Sequence, residues 1–161
     1  LRRSQHFDRR LILPVMLEST IYALTMGSLI VLLMTRLLGF SPSLAGGIAA
    51  QGPLTRIVMS VGAGLYEETV FRLGLLGSIV VLFERVLGAS RLVAVTVAFL
   101  VSSVLFSAMH HIPPYGDPLS LGVFTFRVLA GLFFGVLFWF RGFAVAVYTH
   151  AFYDIWVLLI R

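Results

Sequence analysis

The sequence predicts an all-α, polytopic transmembrane helical bundle, with about five spanning helices and one short interfacial helix. Three observations carry that expectation. Of the 161 residues 59% are hydrophobic and only 12% are charged, against about a quarter charged in an average soluble domain. The apolar residues fall in runs close to or beyond the roughly 20 needed to cross a bilayer as a helix. Glycine, proline or arginine clusters separate those runs. A soluble domain would need a charged surface that this composition does not supply, whereas a lipid-facing helix needs none because its backbone groups are satisfied internally.

Taken in order, residues 1 to 10 are polar and basic, and Leu11 to Thr35 is apolar apart from Glu18. This is the first span. Pro14 sits in its first turn, where a missing N–H does little harm, and Glu18 is read as a structural or snorkelling residue near the interface. Gly39 to Gln51 is rich in Gly, Ser and Pro and too short to cross, so it is expected as a loop with the short interfacial helix. Pro53 opens a second helix running to about Leu87, with Gly62 and Gly64 placed to let a neighbour approach closely. Leu92 to Met109 is the third span, ending in His110-His111. The prolines at 113, 114 and 118 keep the following connection out of helix. Leu119 to Phe140 is the fourth span, carrying Arg127 and a Gly131/Gly135 pair. Phe143 to Ile160 is the fifth.

The net charge of +5 comes from Arg alone, since the chain has no Lys. In a membrane protein such a balance reports orientation and contact with anionic lipid rather than a nucleic-acid partner. Arg2, Arg3, Arg9, Arg10, Arg85, Arg91 and Arg141 fall on one side of a five-span arrangement, against Arg36, Arg56 and Arg161 on the other. The amino terminus is therefore expected in the cytoplasm, and the bilayer of a prokaryotic plasma membrane is the expected setting. The chain opens on Leu1 rather than Met, so it is read as trimmed, with further helices expected upstream. With no cysteine, disulfides, thiolate nucleophiles and thiolate metal sites are excluded.

The ionisable residues inside the spans are few, and each needs compensation, because a charge at the bilayer centre costs about 2.5 to 3.5 kcal/mol on insertion scales. Glu67, Glu68 and Arg72 lie in an otherwise uncharged run from Ile57 to Phe83. Glu68 and Arg72 are four apart and can pair along one helix face. Glu67 is rotated by about 100 degrees and needs a partner from elsewhere. One-turn spacing also puts His150 and Asp154 on one face of the last helix, and Phe106 beneath His110 on the third. Carboxylates and imidazoles around water can do acid and base work. Ser102, Ser103 and Ser107 are discounted as nucleophiles because serines in membrane helices usually bond their own backbone. His111 is expected at the interface, Arg127 as a snorkelling residue, and Phe133, Phe134, Phe138 and Phe140 as lipid-facing or packing groups.

E-E-T-V-F-R (Glu67, Glu68, Arg72), F-S-A-M-H (Phe106, His110) and H-A-F-Y-D (His150, Asp154), in that order on successive apolar segments, resemble the three signature motifs of the CPBP family. This is the intramembrane protease group that includes the type II CAAX prenyl proteases and bacterial homologues linked to bacteriocin immunity. The likeness covers about residues 53 to 161 of a single membrane-embedded peptidase domain, 1–161. It implies an intramembrane endopeptidase with Glu67 as general base and His110 positioning the water. It further implies Glu68, Arg72 and Phe106 in support, and His150 with Asp154 on the oxyanion side. Many relatives carry Asn where this chain has Asp154, and a carboxylate there suits an orienter of His150 better than a direct oxyanion contact.

The resemblance implies no cofactor as the favoured case. Zinc is the alternative, held by Glu67, His110 and His150. The implied substrate is a membrane protein or a lipidated or C-terminally anchored peptide. Two other functions remain open on the sequence: a proton or ion pathway, for which intramembrane Glu, His and Arg are equally natural, and a catalytically inactive immunity or scaffold homologue.

Overall fold

The computed structural model describes residues 8–39, 52–112 and 116–160. It contains helices α1 (Ile12–Leu33), α2 (Pro53–Glu68), α3 (Gly77–Val81), α4 (Arg91–Met109), α5 (Leu121–Arg141) and α6 (Phe143–Ile160). A π-helical stretch, Thr69–Leu76, joins α2 to α3, and a second π turn, Leu82–Val86, continues α3, so residues 53–86 form one rod. Five helical rods result and no strand occurs among the described residues, which is the expected all-α bundle. The interfacial helix expected between residues 39 and 51 lies mostly outside the described residues, as do Arg2, Arg3 and Arg161.

Helix ends follow from local chemistry. Pro53 stands at the first position of α2, where its lost N–H has no intrahelical partner to miss. Ser90 and Ser120 cap α4 and α5, each side chain accepting from the backbone N–H three residues on. Gly39 ends the first rod at φ 72°, a conformation in which a Cβ would be strained. The first rod, α4 and α5 are each long and apolar enough to cross a membrane, while α6 is apolar but shorter. The 53–86 rod carries Glu67, Glu68 and Arg72 at its middle, which makes it the most polar of the five.

α6 packs against α1, α2 and α5, and α4 packs on α5. Small residues set these approaches. A Cβ on Gly64 would stand 2.9 Å from the backbone N of Ala151, so α2 and α6 are in backbone contact there. Gly131 and Gly135 of α5 similarly lie against Ser103 and Phe99 of α4, whereas Gly62 faces open space and has no such role. Glu18 at the start of α1 forms a two-point ion pair with Arg141 at the end of α5, at 2.5 and 2.7 Å. Arg56 at the start of α2 donates to the carbonyl of Leu158 near the end of α6, at 2.7 Å. The rods therefore alternate in direction, as the sequence predicts.

The core between the rods is apolar and aromatic, with Met26, Ile30, Met34, Phe71, Phe106, Phe126, Ala130 and Phe134 in one buried cluster. The outer surface is apolar as well. Leu54, Leu92, Leu121 and Phe140 are each more than 70% exposed, a surface that is stable only against lipid. This is a membrane protein with Glu68, Arg72 and His150 buried inside its helical bundle.

Candidate active site

Glu67 and Glu68 close α2, and Arg72 sits in the π-helical stretch that follows. π-Helical segments are rare and recur at functional sites. Glu68 and Arg72 are almost fully buried, at 0% and 1% exposure. Arg72 Nε lies 3.0 Å from Glu68 Oε2 as an ion pair, and Arg72 Nη2 donates to the carbonyl of Gly131 at 3.0 Å. The guanidinium stands 4.7 Å over the Phe106 ring and 5.6 Å from that of Phe134, so aromatic faces replace water around the charge.

The pairing predicted within the helix is present, and Glu68 does more than balance Arg72. Its other oxygen, Oε1, accepts from His150 Nδ1 at 2.8 Å. The sequence reading gave the orienting of His150 to Asp154. The structure gives that bond to Glu68, with Asp154 Oδ2 lying 3.6 Å from the opposite ring nitrogen, Nε2. The reason is tertiary: the Gly64–Ala151 contact draws α6 onto α2 one turn before the glutamates, which no spacing within a single helix reveals.

His110 follows the last residue of α4. The chain tightens there, and the Phe106 carbonyl accepts from the His110 ring Nδ1 at 2.8 Å. A carbonyl can only accept, so Nδ1 carries a proton and the ring turns its other nitrogen, Nε2, toward α2. That Nε2 lies 3.4 Å from Glu67 Oε2, and His150 Nε2 lies 3.9 Å from the same oxygen. Glu67 Oε2 is buried and has no direct hydrogen-bond partner. The predicted residues Glu67, Glu68, Arg72, Phe106, His110, His150 and Asp154 thus form one cluster contributed by three helical rods.

Some neighbours differ from expectation. Phe134 is a buried ring stacked on His150, with centroids 4.4 Å apart and planes at 13°, so it holds the imidazole from the face that Glu68 does not reach. Its place in a run of phenylalanines hid that role. Arg127 is partly buried and ion-paired with Asp117 rather than snorkelling to lipid. Ser107 bonds across to the Phe124 carbonyl of α5 at 2.8 Å instead of its own helix, while Ser102 does bond within its helix. Among the described residues no group of three or more His, Asp or Glu side chains has the arrangement of a metal site.

No curated protein and no solved structure matches the chain. A family model, described as type II CAAX prenyl endopeptidase Rce1-like, matches residues 49–156. That span takes in every residue of the cluster and about two-thirds of the chain. With a buried Glu/His/Arg cluster inside an apolar helical bundle, the chain belongs to the Rce1-like family of type II CAAX prenyl endopeptidases.

Proposed function

We propose that the protein is an intramembrane endopeptidase that hydrolyses a peptide bond with a water activated by Glu67 and His110. The observation that carries this reading is the facing pair of Glu67 Oε2 and His110 Nε2, 3.4 Å apart. A carboxylate oxygen and an imidazole nitrogen held this close form a niche in which one water can be held and polarised. The water donates to Glu67, with His110 beside it, and turns a lone pair outward. Glu67 then takes the proton as the oxygen attacks the carbonyl carbon of the substrate and later delivers it to the leaving amine. Family membership supports protease activity in general, and the facing carboxylate and imidazole are the basis on which the glutamic version is proposed.

His150 lies on the other side of Glu67. Glu68 and Phe134 hold it at Nδ1 and across the ring face, leaving Nε2 as the working nitrogen. Carrying a proton there, it donates to the oxyanion that develops on the carbonyl oxygen. Asp154 Oδ2 stands 3.6 Å from the same Nε2. Arg72 and Phe106 act as supports, one balancing Glu68 and the other packing beneath both imidazoles, 4.8 Å from His110 and 5.8 Å from His150.

The substrate class that fits a site enclosed by lipid-facing helices is a membrane-anchored peptide, either lipidated near its carboxy terminus or held by a C-terminal anchor. The arginine bias supports a cytoplasmic amino terminus, which puts the His110 end of α4 on the opposite side. A comparison of membrane-proteome fragments between cells carrying the parent and Glu67→Ala tests the activity. New full-length species accumulating with Glu67→Ala are expected. Identical fragment sets, or pH-gradient-driven uptake into vesicles without cleavage of any peptide, would replace the protease reading with a proton pathway.

A further inference from the structure

We infer that Asp117, through its ion pair with Arg127, is a positioning residue that fixes His110 against Glu67; this rests on the peptidase reading above. His110 follows the last residue of α4, held to the helix by its ring Nδ1 and its backbone N–H, and a second set of bonds ties its turn to the chain beyond. Its own carbonyl accepts from the Asp117 backbone N–H at 2.8 Å. The next residue, His111, donates through Nδ1 to the Asp117 carbonyl at 3.0 Å, and its ring stacks on Phe124 of α5 with centroids 5.9 Å apart. Asp117 thus grips the His110-His111 turn with both of its backbone polar groups.

Its side chain fixes that grip to the bundle. Asp117 Oδ2 pairs with Arg127 Nη2, and both residues are partly buried. Arg127 lies on α5 one turn before Gly131, whose carbonyl holds Arg72. The same helix therefore anchors the Glu68–Arg72 pair at one point and the His110 turn at the other. By fixing the His110 turn the ion pair governs the separation of His110 from Glu67, and a displacement of about 1 Å in such a geometry can cost on the order of a hundredfold in rate.

The test is a double-mutant cycle on the full chain in proteoliposomes, using a fluorogenic farnesylated CAAX peptide. Asp117→Asn and Arg127→Gln are each expected to lower kcat by about tenfold or more with little change in KM. The double variant is expected to lose no more than the worse single, because both changes break one interaction. Asp117→Glu should keep most of the rate. Hydrogen–deuterium exchange gives a second readout that needs no turnover: Asp117→Asn should speed exchange at the amides of residues 110–112 and leave α2 unchanged. Additive losses, a rise in KM alone, or unchanged exchange at 110–112 would each overturn the inference. If Glu67→Gln keeps full turnover of the peptide, the peptidase reading fails instead, and the exchange result still decides whether Asp117 holds the turn.

Discussion

Glu68 bridges two helices through its two oxygens, with Oε1 accepting from His150 Nδ1 at 2.8 Å and Oε2 facing Arg72 Nε at 3.0 Å. Its neighbour Glu67 instead faces two imidazoles, with the Nε2 atoms of His110 and His150 at 3.4 and 3.9 Å from its Oε2. Two adjacent glutamates thereby face different partners.

Glu67→Gln removes the proton acceptor and keeps the shape. The expected loss in kcat is about a hundredfold to ten-thousandfold, the usual contribution of a general base, with the protein still folded and extractable. Activity of the parent should survive exhaustive chelation, measured on the same peptide substrate. Loss on chelation with recovery on adding zinc would move the mechanism to the metal alternative.

Glu68→Gln should act mainly on stability. Arg72 is 1% exposed, and removing one partner of a buried ion pair strands the other charge at a cost of about 3 to 5 kcal/mol. A lowered thermal unfolding midpoint in detergent checks this, with activity lost alongside because His150 Nδ1 loses its carboxylate. Glu67→Gln should leave that midpoint nearly unchanged, which separates the two glutamates by experiment.

Asp154→Asn should retain activity within about tenfold of the parent or exceed it, since the orienting bond belongs to Glu68 and an amide N–H can donate to an oxyanion. Steady-state kinetics on the variant decide the point. A collapse comparable with that of Glu67→Gln would restore Asp154 as the group that orients His150.

Gly64→Ala tests the contact that brings His150 to Glu68. Alanine favours a helix over glycine by up to about 1 kcal/mol. Its Cβ, however, would meet Ala151 N at 2.9 Å and Val147 O at 3.0 Å. Those are backbone atoms and cannot swing aside, so overpacking of about 1 to 3 kcal/mol should win. The variant is expected to unfold at lower temperature and to lose kcat. Gly62→Ala, facing open space, should show neither effect.

The sequence by itself determined the solvent, the helical class and the membership of the polar cluster. The sparse charge, the long apolar runs and the i,i+4 spacings of Glu68 with Arg72, Phe106 with His110 and His150 with Asp154 are all one-dimensional signals, because a helix repeats its faces every turn. That same limit explains what was missed. Spacing within a helix reports only partners on that helix: it pairs Asp154 with His150 and Glu68 with Arg72, contacts the structure keeps, but it cannot show that Glu68 also reaches His150 or that Arg127 pairs with Asp117. Only the tertiary structure decided that Gly64 lets α6 close onto α2, that Glu68 rather than Asp154 holds His150 Nδ1, and that two Nε2 atoms from different helices turn toward one oxygen of Glu67. Partners across helices depend on how near two backbones come, and that distance is set by side chains far apart in the chain.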